Sequence, residues 1–301
     1  MRFNLLDHPI AAMQWEYLCP SLAWTSHAPF AFLSVELLQP RLLVELGTYY
    51  GTSYCAFCQV VTKLKLPTRC FAVDTWRGDK HTGPYSQDIL GFLRSHHDPR
   101  FGSFSTLLQS TFDDALKEFA DGSIDLLHID GSHSYEDVAH DYHSWAGKMS
   151  DRGVVLMHDT AETNEGFGVH RLWAELEKKF PSFQFKHGHG LGVLAVGKYV
   201  PDAFLDFLQD ARANAEPMRE IFAALGRAVE TDCELLLSTY QVFQAQAEIN
   251  RYKREIGKPV EPISEDVVSA LEHPLKSITR TLKDMAFLIP GAQDGQSQSR
   301  Q

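Results

Sequence analysis

The chain has 301 residues, 44% of them hydrophobic, enough for one substantial core of about 150–250 residues and an appendage beyond it. Its 28 Lys and Arg stand against 39 Asp and Glu, and a formal charge of −11 without a basic patch argues against a nucleic-acid partner. No apolar run approaches the ~20 residues of a bilayer span, and MRFNLLDHPIAAM lacks a charged-then-apolar signal layout, so a cytoplasmic protein with no membrane span is expected.

Residues 1–29, rich in aromatics and broken by Pro9, Pro20 and Pro29, read as an irregular arm with short helical pieces. FAFLSVELL, after Pro29, has the apolar spacing of a helix that ends before Pro40. Apolar runs then recur at intervals long enough for a helix between them: RLLVEL from 41, RCFAVD from 69, FSTLLQ from 104, IDLLHID from 124 and GVVLMHD from 153. The last two, FQFKH from 183 and LGVLAVG from 191, are separated by Gly188-His189-Gly190 and must pair antiparallel. Strands alternating with helices imply an α/β fold with a mostly parallel sheet covered on both faces. The stretch 77–103 reads as a loop that helps to form an acceptor pocket together with the arm.

Beyond residue 200 the pattern changes. Phe222, Leu225, Val229, Leu236 and Phe243 form an imperfect seam on a helix that begins near Pro217 and ends by Gly257 and Pro259. Residues 201–257 are therefore expected to be a helical extension of a 30–200 main domain, and 258–301 a short helix around 267–288 followed by a disordered tail. Packing on the main domain competes with pairing to a second copy. Because the sheet already carries helices on both faces, a homodimer through this seam is the expectation.

The five cysteines are odd in number and lack a paired framework, so they read as reduced, buried thiols; Cys55-x-x-Cys58 falls on the helix after the first turn and reads as core. That first turn, Glu45, Gly47, Thr48, Tyr49, Tyr50, Gly51, has neither the Gly-Lys-Ser/Thr of a phosphate loop nor the glycines of a dinucleotide fingerprint. A turn with fewer glycines still lets the backbone approach a carboxylate and a ribose, and Asp74, ending the next run, can accept from both ribose hydroxyls. The combination fits S-adenosylmethionine.

The segments ELGTYYGTSY, AVDTWRGD, FADGSIDLLHIDGSHSYEDV, RGVVLMHDT and GHGLGVLAVG resemble the bacterial class I methyltransferases of the methyltransferase domain 24 type, similar to sugar O-methyltransferases of antibiotic and surface-glycan pathways, over about residues 20–198. The resemblance implies a Rossmann-like seven-stranded sheet, a glycan or glycosylated small-molecule substrate and a glycosyltransferase as partner. Carried over by position, it sets Glu45 and Gly47 at the methionine end of the cofactor, with Thr48 and Gly51 of the same turn also binding the cofactor, Asp74 at the ribose, Thr75 and Trp76 at the adenine face, and Ser110, Thr111 and Phe112 at its edge.

Asp130 ends the fourth strand, where open α/β sheets bind ligands, and His133 follows in the loop. A hydroxyl needs a base to become a nucleophile, and His133 is the candidate, against a solvent-facing histidine at a helix start. Asp130 and Asp159 could share a Mg²⁺ that activates the sugar hydroxyl. Related metal-dependent enzymes carry a carboxylate next to the second Asp; here that position is His158, a spectator or a ligand that favours Mn²⁺ or Zn²⁺. Otherwise Asp159 is a loop cap or holds the methionine amine. His187 and His189 face either the site or solvent.

Two other functions compete: an NAD-linked sugar oxidoreductase, opposed by the missing glycines, and a catalytically weak cofactor-binding scaffold in a glycan-assembly complex, opposed by the intact Asp130 and His133.

Overall fold

The computed structural model describes residues 3–79, 83–85 and 88–256, together with 259, 260, 262 and 264. The expected helix around 267–288 and the polar tail lie outside the described residues.

Seven strands form one sheet: β1 (Leu42–Leu46), β2 (Arg69–Asp74), β3 (Ser105–Gln109), β4 (Ile124–Ile129), β5 (Met149–His158), β6 (Ser182–Phe185) and β7 (Leu191–Ala195). Their order is β3-β2-β1-β4-β5-β7-β6, with the first five parallel and β7 antiparallel to both β5 and β6. All seven expected runs are strands, and β5 begins four residues earlier than GVVLMHD, at Met149, with a register shift between its pairings to Ile124 and Leu126.

Every strand in the middle of the sheet is buried on both sides, and its residues alternate between two cores. Leu43, Ala72, Leu126 and Leu156 face a core shared with α1 (Ala28–Leu38), α2 (Thr52–Leu64), α3 (Ile89–Phe101), α7 (Asp202–Ala213) and α8 (Ala215–Glu255). Val44, Leu46, Val73, Leu127, Ile129 and Met157 face the opposite core, built with the one-turn α4 (Phe112–Ala115), α5 (Tyr135–Ala146) and α6 (Val169–Leu176). A one-residue slip of any of these strands would exchange its two faces, so packing fixes the register. The sheet's open end, where β1, β2, β4 and β5 finish, is left for a ligand.

Three departures from expectation concern what covers the first core. The arm is irregular, with 3₁₀ turns at Leu5–Asp7, Pro9–Ala12 and Thr25–His27, but it is a wall of the core: Trp15, Tyr17, Leu18 and Trp24 are all buried. The 77–103 stretch is not simply a loop, because Ile89, Phe92, Leu93, His96, His97 and Phe101 give α3 a buried face. Finally, α8 spans 41 residues and lies across the Thr25–His27 turn and α1.

The last observation corrects the argument for pairing through the seam. Phe222 is 1% exposed, with ring centroids 5.8 Å from Phe30 and 5.1 Å from Phe185, while Val229, Leu236 and Phe243 pack against the same cluster. The chain covers the seam itself. Gly226 makes this possible: a Cβ there would lie 2.3 Å from the Ser26 carbonyl oxygen, so only glycine allows helix and turn to approach so closely.

All five cysteines are free and buried, and burial pushes the Cys19 thiol up to about 11. At the base of the sheet, Asp125 receives both the Nε and an Nη of Arg41 at 2.8 Å, tying β4 to the start of β1. Among the described residues, no helix is long and apolar enough to cross a membrane.

Candidate active site

A cavity of about 530 Å³ opens at the strand ends. Its floor depends on Gly47, which sits at φ +83° with its Cβ direction aimed at the Asp130 carbonyl oxygen, 2.0 Å away. Any side chain there would push β1 and β4 apart.

Asp74 secures the turn that follows. Its Oδ2 accepts from the backbone amides of Thr48 and Tyr49, both at 2.9 Å, and its Oδ1 accepts from the Trp76 amide at 2.7 Å. The Trp76 indole N–H donates to the Tyr49 carbonyl at 2.9 Å, closing the stitch, so Trp76 supports the wall and does not line the cavity. The carboxylate still faces the cavity with lone pairs to spare.

Of the residues expected at a cofactor, Gly47, Thr48, Asp74, Thr75, Thr111, Phe112 and Asp130 line this cavity. Thr111 also caps α4, its Oγ1 accepting from the Asp114 amide at 3.1 Å. Three others lie off the cavity wall. Gly51 caps α2 at φ +83°, and the Ser110 amide is engaged with the Asp74 carbonyl. Glu45 is fully buried: its Oε2 accepts from His128 Nδ1 at 2.8 Å, behind the cavity, so it does not reach the methionine position.

The chemistry-bearing groups converge at the ends of β4 and β5. His158 Nδ1 lies 3.3 Å from Asp130 Oδ1 and 3.3 Å from Asp159 Oδ1, and its Nε2 donates to the Gly188 carbonyl at 3.0 Å. Burial pushes this imidazole's pKa down, but the two carboxylates outweigh burial and hold it well above the usual value. Both nitrogens are thus donors. His158 is turned onto the two carboxylates and the Gly188 carbonyl, and among the described residues the donor atoms that converge as for a metal do not include its own, which corrects the expectation of His158 as a ligand.

His133 Nε2 lies 3.1 Å from Asp159 Oδ2, and its ring stacks on Phe167 at 4.8 Å. For Asp159, burial acts to raise the carboxyl pKa, and the contacts from His133 and His158 overcome that and lower it, keeping the group ionised. Asp159 holds φ +60°, a strained conformation for a non-glycine residue.

One donor atom each from Asp130, His133 and Asp159 fall within 4.8 Å of one another, a grouping that fits a divalent ion. Two carboxylates and an imidazole suit Mn²⁺ or Zn²⁺ better than an all-oxygen ion such as Mg²⁺. The spacing of IDGSH and MHD in the sequence gives no sign that His133 and not His158 completes the set.

Several lining residues escape the sequence reading. Ser21 and Trp24 come from the arm, and Tyr85 and Phe167 from loops; His189, for which the sequence left site and solvent both open, lines the cavity from the hairpin with its Nδ1 2.7 Å from Glu162. His187 is turned instead against His27, with ring centroids 4.6 Å apart. The arm's density of aromatics was the one available signal for Trp24.

Residues 44–160 match the family model described as a methyltransferase domain. The matched segment carries Glu45 through Asp159, so most of the cavity belongs to the methyltransferase match, while the arm that completes it does not. Over 282 residues the chain is 40% identical to the uncharacterized protein y4gI of Sinorhizobium fredii (strain NBRC 101917 / NGR234), an alignment taking in 93% of this chain and 30% of that protein. The chain thus spans less than a third of the curated relative. Among solved structures, the O-methyltransferase of Bacillus cereus in complex with SAH is similar at 13% identity, TM-score 0.44, covering 64% of this chain and 88% of that one. The O-methyltransferase TomG of Streptomyces achromogenes, in complex with SAM, is similar at 15% identity, TM-score 0.43, with 60% and 82% covered.

Proposed function

We propose that the chain is an S-adenosylmethionine-dependent O-methyltransferase whose acceptor is a hydroxyl of a saccharide or glycosylated small molecule. The observation that carries this reading is the division of one cavity into two halves. On one side lie the Gly47 turn, the Thr48 Oγ1 with no protein partner, and the Asp74 carboxylate; on the other lie His133 and Asp159. The first half fits the cofactor: Gly47 lets a carboxylate approach the backbone, Thr48 has a hydroxyl to offer it, and Asp74 accepts from a ribose. Thr75, Thr111 and Phe112 then border the adenine. Bound there, S-adenosylmethionine would supply an electrophilic methyl group on a positively charged sulfur.

The second half handles the proton. His133 and Asp159, whose Nε2 and Oδ2 lie 3.1 Å apart, act as a pair that takes the proton of the acceptor hydroxyl as the oxygen gains the methyl group. Asp159, already ionised, stabilises the imidazolium that results. His158 fixes the positions of Asp130 and Asp159 so that neither swings away. Trp24, Tyr49, Tyr85 and Phe167 form apolar faces on which a sugar ring can stack, and they exclude water from the reacting centre.

A second reading rests on the grouping of Asp130, His133 and Asp159. These three would hold a divalent ion, which when bound would lower the pKa of a coordinated hydroxyl, and His133 would then be a ligand and not the base. A cytoplasmic site of action beside a glycosyltransferase follows from a glycan acceptor.

The test is incubation of the purified chain with labelled S-adenosylmethionine and a panel of nucleotide sugars and glycosides, with and without excess chelator. Label on a saccharide oxygen is expected. Tight binding of NAD with no response to S-adenosylmethionine overturns the reading, and cofactor binding without transfer to any acceptor favours the scaffold alternative. Loss of transfer in chelator selects the metal reading.

A further inference from the structure

Six of the ten large hydrophobic side chains exposed among the described residues lie on α8 or at its C-cap, Ile256, and they are ordered. Ile221, Leu235, Val242, Ile249 and Ile256, between 43% and 64% exposed, recur every seven residues, and Ala228 occupies the one remaining place in the series. Three residues after each come Ala224, Thr231, Ser238, Ala245 and Tyr252, all exposed as well. This is an a/d pattern on a helix whose other face, through Phe222, Cys233 and Tyr240, is already buried on its own chain. A seven-residue repeat held over five heptads is a seam for a second helix, because a straight helix drifts away from it unless two helices supercoil. Small d residues let the axes come close, and β-branched residues at four of the five large a positions favour two strands.

The flanks indicate what that second helix is. One edge of the stripe carries Glu220, Arg227, Glu234, Gln241, Glu248 and Glu255; the other carries Leu225, Asp232, Thr239, Gln246 and Lys253. In a parallel, in-register pair each residue of the first edge meets the residue five positions on in the other copy. Arg227 then meets Asp232 and Glu248 meets Lys253, both opposite in sign, and no like charges meet. An antiparallel pair sets the Glu-rich edge against itself, with Glu220 facing Glu255 or Glu234 facing Glu248. A groove of about 600 Å³ adjoins the stripe between Met13 and Trp15 of the arm and Leu225, Ala228 and Leu235 of α8, and a helix laid along the stripe covers it.

We propose that α8 is an interface with a second copy of this chain, formed as a parallel two-helix coil through Ile221, Leu235, Val242, Ile249 and Ile256. The surface is distinct from the Phe222–Phe243 seam, which the chain buries internally, and the inference does not depend on the methyltransferase reading.

Light scattering on the full chain tests it. The wild type is expected at twice the 34.0 kDa chain mass, and Val242→Glu with Ile249→Glu at the single-chain mass with an unchanged melting temperature, since both side chains are exposed. Should that pair prove insoluble, Val242→Ser with Ile249→Ser reads the same dissociation. Orientation is read from Ala245→Cys under mild oxidation: a parallel coil brings the two introduced thiols together and gives a disulfide-linked dimer, against a low background because the five native thiols are buried. A monomeric wild type overturns the proposal, including one whose melt collapses on the Glu substitutions, which would assign the stripe to residues of the same chain. A dimer that survives both substitutions, or one that gives no cross-link at 245, overturns it too.

Discussion

Glu45 and His128 are register partners on adjacent parallel strands, β1 and β4, and their side chains meet at 2.8 Å in the interior. His128 Nε2 accepts from the Trp24 indole N–H at 3.2 Å, so Nδ1 holds the ring proton and donates it to the carboxylate. One imidazole thus fastens the arm to the sheet directly beneath the cavity that Trp24 lines. His128→Leu strips a partner from a buried carboxylate and from a buried indole. We expect a loss of stability of at least about 1–3 kcal/mol in urea unfolding, the cost of unsatisfied buried polar groups. An unchanged midpoint would mean that water replaces the ring.

Asp74→Ala removes the acceptor for three backbone amides as well as the proposed ribose partner. S-adenosylhomocysteine affinity should fall by roughly 1.5–3 kcal/mol in calorimetry. Asp74→Asn, which retains one acceptor oxygen, should fall less. Equal losses in the two would assign Asp74 to the turn alone.

His133→Ala should lower turnover by about 10² to 10⁴ with S-adenosylhomocysteine affinity nearly intact, because the ring meets the acceptor and not the cofactor. If the metal reading is right, the same substitution also weakens Mn²⁺ or Zn²⁺ binding, which calorimetry reads without any acceptor. Wild-type turnover in the variant removes His133 from both roles.

Two buried carboxyls give opposite pH dependences. For Asp125, burial acts to raise the pKa, and Arg41 and Ser150 outweigh it, holding the group at about 2. Its folded pKa lies below the unfolded one, so its stabilisation, about 2 kcal/mol, is present above roughly pH 4 and is lost as pH falls toward 2. Asp141, on α5, is pushed up to about 7 by burial, with Asp137 and Asp113 adding to the effect against His140. The folded state there keeps a proton that the unfolded chain has released, so stability falls as pH rises from about 4 to 7. Asp141→Asn should therefore be more stable than wild type by about 2–4 kcal/mol at pH 8 and equal to it below about pH 4. A difference that does not vary with pH would show that Asp141 titrates normally.

The central sheet was legible because its strands are continuous apolar runs spaced for crossovers, and Gly47, Asp74 and Asp130 could be set at strand ends by counting. What escaped depends on side-chain direction and on distant contacts. Glu45 looks like a strand-end acid as Asp74 is, yet it pairs with Ala72 and so stands two positions deeper on the same face, where only the register with His128 reveals that its carboxylate is held in the interior. His158 looked like a ligand because its neighbours are acidic; its Nδ1 is in fact turned between those carboxylates and its Nε2 onto the Gly188 carbonyl. The α8 seam looked uncovered because nothing local in the sequence announces that Phe30 and Phe185 will meet Phe222.

The contact between Gly226 and Ser26 also sets an order of assembly. Roughly 200 residues of chain separate the two, so the arm is made well before the helix that clamps it, a loop closure that favours late docking. The sheet can pair its strands while the arm waits. Trp24 reaches its final position over the cavity last, so the protein should acquire the ability to bind its cofactor half earlier in synthesis than the ability to enclose an acceptor.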